Sequence, residues 1–160
     1  MATVGIEFFT KEEKVNDKII RVKIWDTAGQ EQYKSLSKNF FRNADGVIIV
    51  YDVSNRRSFE KVAEWIKSIE DNVSSEKNIQ KVIVGNKIDL ARQVSTEEGN
   101  KLSQTYNIPF FEVSAKNSIG INEFMTSIIT NVVNFTTTSK QGVGLIENNN
   151  NSDKKAGCAC

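Results

Sequence analysis

The chain has 160 residues, enough for one domain with a buried core, and its formal net charge is +1. This balance gives no electrostatic reason to expect a nucleic acid or a strongly acidic partner. The sequence contains no histidine, which excludes Ser-His-Asp and Cys-His catalysis and every histidine metal site. Its two cysteines, Cys158 and Cys160, lie at the C-terminal end, so we expect a cytosolic chain without a disulfide framework.

Strands are predicted in five places. Two extended stretches, 6–15 and 18–25, flank Asn16-Asp17, a pair that favours a hairpin turn. The runs "GVIIVYD" and "KVIVGN" are short and apolar, as expected for buried parallel strands, and "FFEV" predicts a third.

Helices are predicted between these strands by apolar residues at a spacing of three and four. They cover Ser58–Val73, Ser95–Tyr106 and a long segment from Ile121 to Val133. Strands that alternate with helices indicate an α/β fold, a mostly parallel sheet with helices on both faces. After about residue 135 the pattern ends, so we expect a domain over 1–135 and a disordered hypervariable tail over 136–160.

Polar clusters follow three of the predicted strands. Residues 26–31 (DTAGQE) follow "VKIW", residues 86–89 (NKID) follow "VIVG", and residues 114–116 (SAK) follow "FFEV". Each string alone is most simply a loop or a helix cap. Because ligands bind at the carboxyl ends of strands in open α/β sheets, the three together indicate one binding site.

These residue types suit recognition of a guanine nucleotide. The carboxylate of Asp89 can accept from the guanine N1–H and the exocyclic amine, which adenine does not offer. Asn86 can bridge the loop and the base, and the Lys87 stem can cover the ring. The backbone N–H of Ala115 is suited to the guanine O6.

The first cluster suits the phosphate end of such a site. Asp26 can help to hold Mg²⁺, commonly through water. Gly29 lacks a Cβ, so its N–H can approach a terminal phosphate closely. Gln30 is the residue type that orients an attacking water in GTPases.

The strings "WDTAGQE", "NKID" and "SAK" resemble the characteristic boxes of the Ras superfamily of small GTPases. Five further stretches resemble the Rab family within it: "VGIEF", "RVKIW", "GQEQYKSL", "FFRNA" and "IVYDVS". The resemblance extends from residue 3 to about residue 135. It implies the P-loop small GTPase fold, GTP/GDP and Mg²⁺ as ligands, and a switch function in vesicle-mediated membrane traffic. An exchange factor, a GTPase-activating protein and effectors are the implied partners.

The resemblance also assigns individual roles. Gln30 would be catalytic, and Thr3 and Asp26 would hold the metal ion. The GTP-binding residues would be Thr3, Asp26, Gly29, Asn86, Lys87, Asp89, Ser114, Ala115 and Lys116. The effector-binding residues would be Val4, Gly5, Ile6, Glu7, Phe8, Trp25 and Phe40. The alternative for the three aromatic residues is that they fill the core beside the hairpin.

The final residues, Cys158-Ala159-Cys160, resemble the Rab double-cysteine terminus, which is geranylgeranylated on both cysteines. Two lipid chains give stable membrane attachment, whereas one gives only marginal binding. The resemblance implies a lipid-anchored protein on the cytoplasmic face of an intracellular or plasma membrane, cytosolic when escorted by the prenylation machinery. The alternative is two unmodified, exposed cysteines.

One family element is missing from the sequence. No Gly-x-x-x-x-Gly-Lys-[Ser/Thr] occurs in these 160 residues. We therefore expect an N-terminally truncated Rab that lacks the first strand, the phosphate loop and the first helix, with impaired nucleotide binding. By resemblance the first strand lies between "RVKIW" and "GVIIVYD", so those two strands should face a gap. The alternative is a non-enzymatic Rab-like interaction module or the product of a degenerate gene copy.

Overall fold

The computed structural model describes residues 6–27, 41, 43–74 and 77–141 of the chain. The elements in those ranges alternate between strands and helices after an initial hairpin. In chain order they are β1 (Ile6–Val15), β2 (Lys18–Thr27), β3 (Gly46–Asp52), α1 (Arg56–Glu60), α2 (Val62–Asn72), β4 (Gln80–Asn86), α3 (Thr96–Tyr106), β5 (Phe110–Glu112) and α4 (Ile121–Gln141). The predicted α/β fold is confirmed.

The hairpin of β1 and β2 forms where the turn pair predicts it. Asn16 and Asp17 have φ angles of 49° and 61°, in the left-handed region that Asn and Asp tolerate best among non-glycine residues. The Asn16 side chain also donates to Asn134 Oδ1 on α4 at 3.2 Å, which ties the turn to that helix. β2 extends to Thr27, two residues beyond the predicted end.

The remaining strands form a parallel sheet in the order β3-β4-β5. On the central strand β4, Ile83 lies opposite Ile49 of β3 and Phe110 of β5. Residues 82–85 of β4 are all buried. A parallel strand covered on both faces requires such a continuous apolar run, and for this reason the sequence pattern locates it.

The helix predicted over Ser58–Val73 differs from the observed structure. It begins earlier, at Arg56, and is interrupted at Lys61, so two helices replace one. The first turn is attached to the end of β3, because Ser58 Oγ accepts from the N–H of Asp52 at 3.0 Å. α2 is positioned instead by buried apolar side chains: Val62, Ile66 and Ile69.

The two later helices begin where the sequence predicts. Ser95 is the N-cap of α3 and forms a capping box with Glu98, in which each side chain accepts from the other residue's backbone N–H. α4 buries Phe124 and Ile128 and continues to Gln141, past the residue at which we predict the tail to begin. Residues 142–160 lie outside the described part of the chain, so the domain boundary stays a prediction.

The parallel sheet carries a hydrophobic core on each face, because alternate residues of a strand point to opposite sides. Ile83 packs in the cluster that contains Ile66 of α2. Its neighbour Val84 packs in the second cluster, with Ile128 of α4 and Val15 of the hairpin. Helices therefore cover both faces of the sheet, as predicted.

An apolar slot separates the hairpin from the parallel sheet. β2 and β3 belong to different sheets, and among the described residues neither has a second strand partner. A cavity of about 740 Å³ lies between them, lined by residues 20–25, by 43–48 and by apolar side chains of α4. Val50 of β3 is 56% exposed although it belongs to an apolar strand. The slot lies between the two strands for which the Rab resemblance predicts a gap.

Candidate functional site

Polar residues meet at one edge of the parallel sheet. Asp52 ends β3 and lies opposite Asn86, which ends β4. Val113 and the fully buried Ser114 follow β5, and the N–H of Ile88 donates to the Val113 carbonyl at 3.2 Å. The carboxyl ends of the three strands therefore bring together residues far apart in the sequence.

Asp89 is held by the loop after β5. Ser114 Oγ donates to Asp89 Oδ1 at 2.5 Å and accepts from the N–H of Asn117 at 3.1 Å. The hydrogen bond from Ser114 holds the pKa of Asp89 below its usual value, with further help from the charges of Lys116 and Lys87. Asp89 is also exposed, so an ionised carboxylate that can only accept hydrogen bonds is presented to solvent.

Asn86 joins the two loops of this edge. Its Oδ1 accepts from the N–H of Lys87 at 2.7 Å and from the N–H of Ala115 at 3.0 Å. The Ala115 N–H that the sequence analysis directs at the guanine O6 thus has a protein partner in this structure. The same bond keeps the exposed Ala115 amide within the cluster formed by Asn86 and Asp89.

Lys87 contacts Asp52, a residue that was not among those predicted from the sequence. Its Nζ lies 2.6 Å from Asp52 Oδ2, and its backbone has a φ of 68°, in the left-handed region. Asp52 Oδ1 accepts from the N–H and the hydroxyl of Ser54 at 2.8 and 2.6 Å. Partial burial would raise the pKa of Asp52, but the hydrogen bonds from Lys87 and Ser54 outweigh it and lower that pKa. The available signal was the acidic residue that ends the "GVIIVYD" strand.

Comparisons with known proteins identify the family of this chain. The sequence model of the Ras family matches residues 1–134. Ras-related protein Rab-13 of Bos taurus is 36% identical over 152 residues, which cover 94% of this chain and 71% of that protein. Ras-related protein Rab-8B of Homo sapiens is 41% identical over 125 residues, which cover 77% of this chain and 59% of that protein. This chain belongs to the Rab branch of the Ras family of small GTPases.

The Rab identification made from the sequence motifs is therefore confirmed. The chain spans 59–71% of the length of these two Rab relatives. The nucleotide-binding, metal-binding, catalytic and effector-binding roles assigned to individual residues stay predictions.

Most of the phosphate end of the Rab site lies outside the described residues. This applies to Thr3, Gly29 and Gln30. Asp26, the other predicted metal ligand, is in β2. Within the described ranges there is no group of three or more His, Cys, Asp or Glu residues that could hold a metal ion.

The hairpin presents an aromatic pair to solvent. Phe8 and Trp25 lie opposite each other, with ring centroids 5.0 Å apart, and are 51% and 42% exposed. These two residues therefore do not fill the core, which was the alternative to an effector surface. Of the other predicted effector residues, Ile6 and Glu7 lie on β1, and Val4, Gly5 and Phe40 lie outside the described residues.

The predicted lipid-anchored end also lies outside the described part of the chain, which stops at residue 141. Among the helices that the structure describes, none combines the length and the apolar character needed to span a membrane. Lipidation of Cys158 and Cys160 therefore stays a prediction.

Proposed function

We propose that this Rab chain binds guanine nucleotides at the cluster formed by Asn86, Lys87, Asp89, Ser114 and Ala115. The observation that carries this proposal is the hydrogen bond from the buried Ser114 hydroxyl to the exposed Asp89 carboxylate. It orients a carboxylate before any ligand arrives, and preorganisation lowers the cost of binding.

The chemistry of the cluster favours guanine over adenine. An ionised carboxylate at Asp89 accepts from two adjacent N–H donors, and guanine offers this pair at N1 and at its exocyclic amine. Adenine would leave the carboxylate without donors at the edge of the base. This penalty favours guanine nucleotides over adenine nucleotides strongly. The Ala115 N–H, which donates to Asn86 Oδ1, can be shared between Asn86 and the guanine O6. Ser114 and Lys116 complete the loop that we assign to the nucleotide.

Lys87 can cover the base with its aliphatic stem while its charged end stays with Asp52. Its ammonium contacts Asp52 in this structure, and about half of the Lys87 side chain is exposed. Its left-handed backbone directs the chain away from β4 immediately after Asn86. We propose that Lys87 covers the ring face with its stem and that Asp52 sets the position of its charged end.

The phosphate end is proposed from the Rab resemblance. Thr3 and Asp26 would hold Mg²⁺, which supplies charge neutralisation for the phosphates, and Gly29 would donate to the terminal phosphate. Gln30 would orient the water that hydrolyses GTP. Without a Gly-Lys-Ser/Thr phosphate loop, a polypeptide of these 160 residues loses about four charge-assisted hydrogen bonds, or roughly 6–12 kcal/mol. We therefore propose binding weaker by about 10⁴–10⁸-fold than in a Rab with that loop.

At the level of the cell, we propose a GTP/GDP-dependent switch in vesicle-mediated membrane traffic. The support is the Rab relationship together with the exposed Phe8–Trp25 pair, a surface that effectors could read. We further propose that Cys158 and Cys160 carry geranylgeranyl groups and that prenylation escort machinery, an exchange factor and a GTPase-activating protein act on the chain. Radiolabelled prenyl transfer to the wild type but not to a Cys158→Ser, Cys160→Ser double variant would test the anchor.

The test of base recognition uses the 160-residue chain at millimolar nucleotide, because weak binding is expected. Saturation-transfer NMR with GDP, ADP and xanthosine diphosphate should show GDP preferred over ADP by about tenfold or more. Asp89→Asn should transfer the preference to the xanthine nucleotide, because an amide can donate to the xanthine C2 carbonyl and accept from N1–H. Asp71→Asn, a matched change at an exposed position of α2, should leave the GDP preference intact. Equal binding of GDP and ADP by the wild type would refute the assignment.

Hydrolysis needs its own measurement, on a preparation that binds GTP. Gln30→Leu should slow phosphate release while leaving GDP binding within about twofold, because the role proposed for the glutamine is to position water and not to bind the base. An unchanged rate of release would remove Gln30 from the catalytic role.

A further inference from the structure

One exposed lysine lies on the aromatic pair of the hairpin. On the solvent face of β1 and β2, Phe8 is opposite Trp25, and the next pair along that face is Thr10 opposite Lys23. Lys23 Nζ lies 4.1 Å from the centroid of the Phe8 ring and 4.9 Å from that of the Trp25 ring. Both distances are within the range of cation–π interactions, so one ammonium group is held by two rings.

Lys23 differs from the other cations on this face. Arg21 contacts Glu12 at 3.1 Å, and Lys14 contacts Asp17 at 3.0 Å, so those charges are compensated. Among the described residues, no carboxylate forms an ion pair with Lys23. Within the described ranges, the contacts that stabilise this positive charge are therefore those with the two ring faces.

A partner that covers the rings must also cover the ammonium group. The N–H donors of the Lys23 ammonium group that point away from the rings would then lose their contacts with water. A buried cation without hydrogen-bond partners is costly. A partner with a carboxylate beside its apolar contact restores these bonds, whereas a neutral or basic partner does not. The charge of Lys23 thus favours acidic partners over neutral or basic ones, whereas an aromatic pair alone would bind all three equally.

We infer that Lys23 is a specificity-determining residue of the Phe8–Trp25 surface, and that the partner is a protein segment with a carboxylate next to an apolar side chain. This inference rests on the proposed effector function of that surface, and it adds the chemical character of the partner. Lys23 acts by its charge and need not change the shape of the surface.

The experiment selects peptides from a random 12-residue library displayed on phage, with the 160-residue chain as the target. Peptides that still bind a Phe8→Ala variant are discarded, so only those that use the aromatic pair remain. We expect the pool from the wild type to be enriched in Asp and Glu beside aromatic or aliphatic residues. Selection on Lys23→Glu should reverse this enrichment towards Lys and Arg.

The affinity of individual peptides selected on the wild-type chain is then measured by fluorescence anisotropy. Lys23→Gln should weaken the binding of these peptides about five- to tenfold, the order expected when an ion pair at a partly buried contact is removed. Lys18→Gln makes the same charge change at the far end of β2 and should have little effect. All substituted side chains are exposed, and circular dichroism checks that each variant folds.

The outcomes distinguish the role of Lys23 from the existence of the Phe8–Trp25 docking surface. A Phe8-dependent pool with the same charge composition for wild type and Lys23→Glu would overturn the role of Lys23 and leave the docking surface standing. Equal weakening by Lys23→Gln and Lys18→Gln would also overturn it. Recovery of no Phe8-dependent peptide would refute the docking surface itself, and the inference with it.

Discussion

Tyr51 offers a direct test of how the core beneath the site is built. The residue is buried at 2% exposure, with its ring 5.1 Å from Phe59 and 6.4 Å from Phe110. Its hydroxyl has no hydrogen-bond partner among the described residues. An unsatisfied buried donor costs about 1–3 kcal/mol, and the van der Waals attraction of the oxygen atom to its neighbours offsets part of that cost. Tyr51→Phe should therefore raise the free energy of unfolding at pH 7 by about 1 kcal/mol.

The same residue predicts a pH dependence. Burial, together with the charge of Glu112, raises the pKa of Tyr51 from 10.0 to about 12. Between those values the unfolded chain ionises Tyr51 and the folded chain does not. Ionisation of Tyr51 therefore does not affect the free energy of unfolding below pH 10, and it lowers that free energy progressively as the pH rises to 12. The rise of this pKa from 10.0 to about 12 corresponds to about 2–3 kcal/mol in the free energy of unfolding, and the Tyr51→Phe variant should not show this loss.

The assay is urea unfolding followed by far-UV circular dichroism at pH 7, 10 and 11. Only the difference between wild type and Tyr51→Phe is interpreted, because other groups also titrate above pH 10. Tyr106→Phe changes an exposed tyrosine and should stay within about 0.5 kcal/mol of the wild type. If Tyr51→Phe lowers stability at pH 7 by 1 kcal/mol or more and parallels the wild type above pH 10, the hydroxyl has a partner and the reasoning fails.

Two further predictions concern residues around the site. Gly99→Ala should destabilise the fold by about 1–3 kcal/mol in urea unfolding, because the new Cβ would lie 2.6 Å from Cε1 of Phe110 and overpack α3 against β5. Gln104→Ala on the exposed face of α3 is its control; equal effects would show that the ring moves aside. Asp52→Asn should cost about 1 kcal/mol at neutral pH, because it removes the charge that pairs with Lys87. Since that pairing lowers the pKa of Asp52 below 3.8, the cost should vanish as the pH falls through the folded-state pKa, and a cost that persists in acid would contradict the ion pair.

The amino-acid sequence by itself determined the family and most of the elements, although the helix predicted over Ser58–Val73 is two helices. The Asn16-Asp17 turn, the apolar run of β4 and the capping box at Ser95 each depend on residues within a few positions of one another. Local sequence patterns report such features because the backbone periods of strands and helices are short. The short boxes at 86–89 and 114–116 likewise indicated guanine recognition without any knowledge of distances.

Only the tertiary structure decided which groups are partners. Asn86 accepts from an amide 29 positions away, and Lys87 contacts Asp52 on a neighbouring strand end rather than standing free. The exposure of the Phe8–Trp25 pair and the slot beside β3 depend on how the hairpin sits against α4 and the sheet. These features follow from packing between distant segments, and no periodicity within one segment encodes them. The sequence therefore predicts a role for Asp89, whereas the fold sets which groups Asp89 and Lys23 contact.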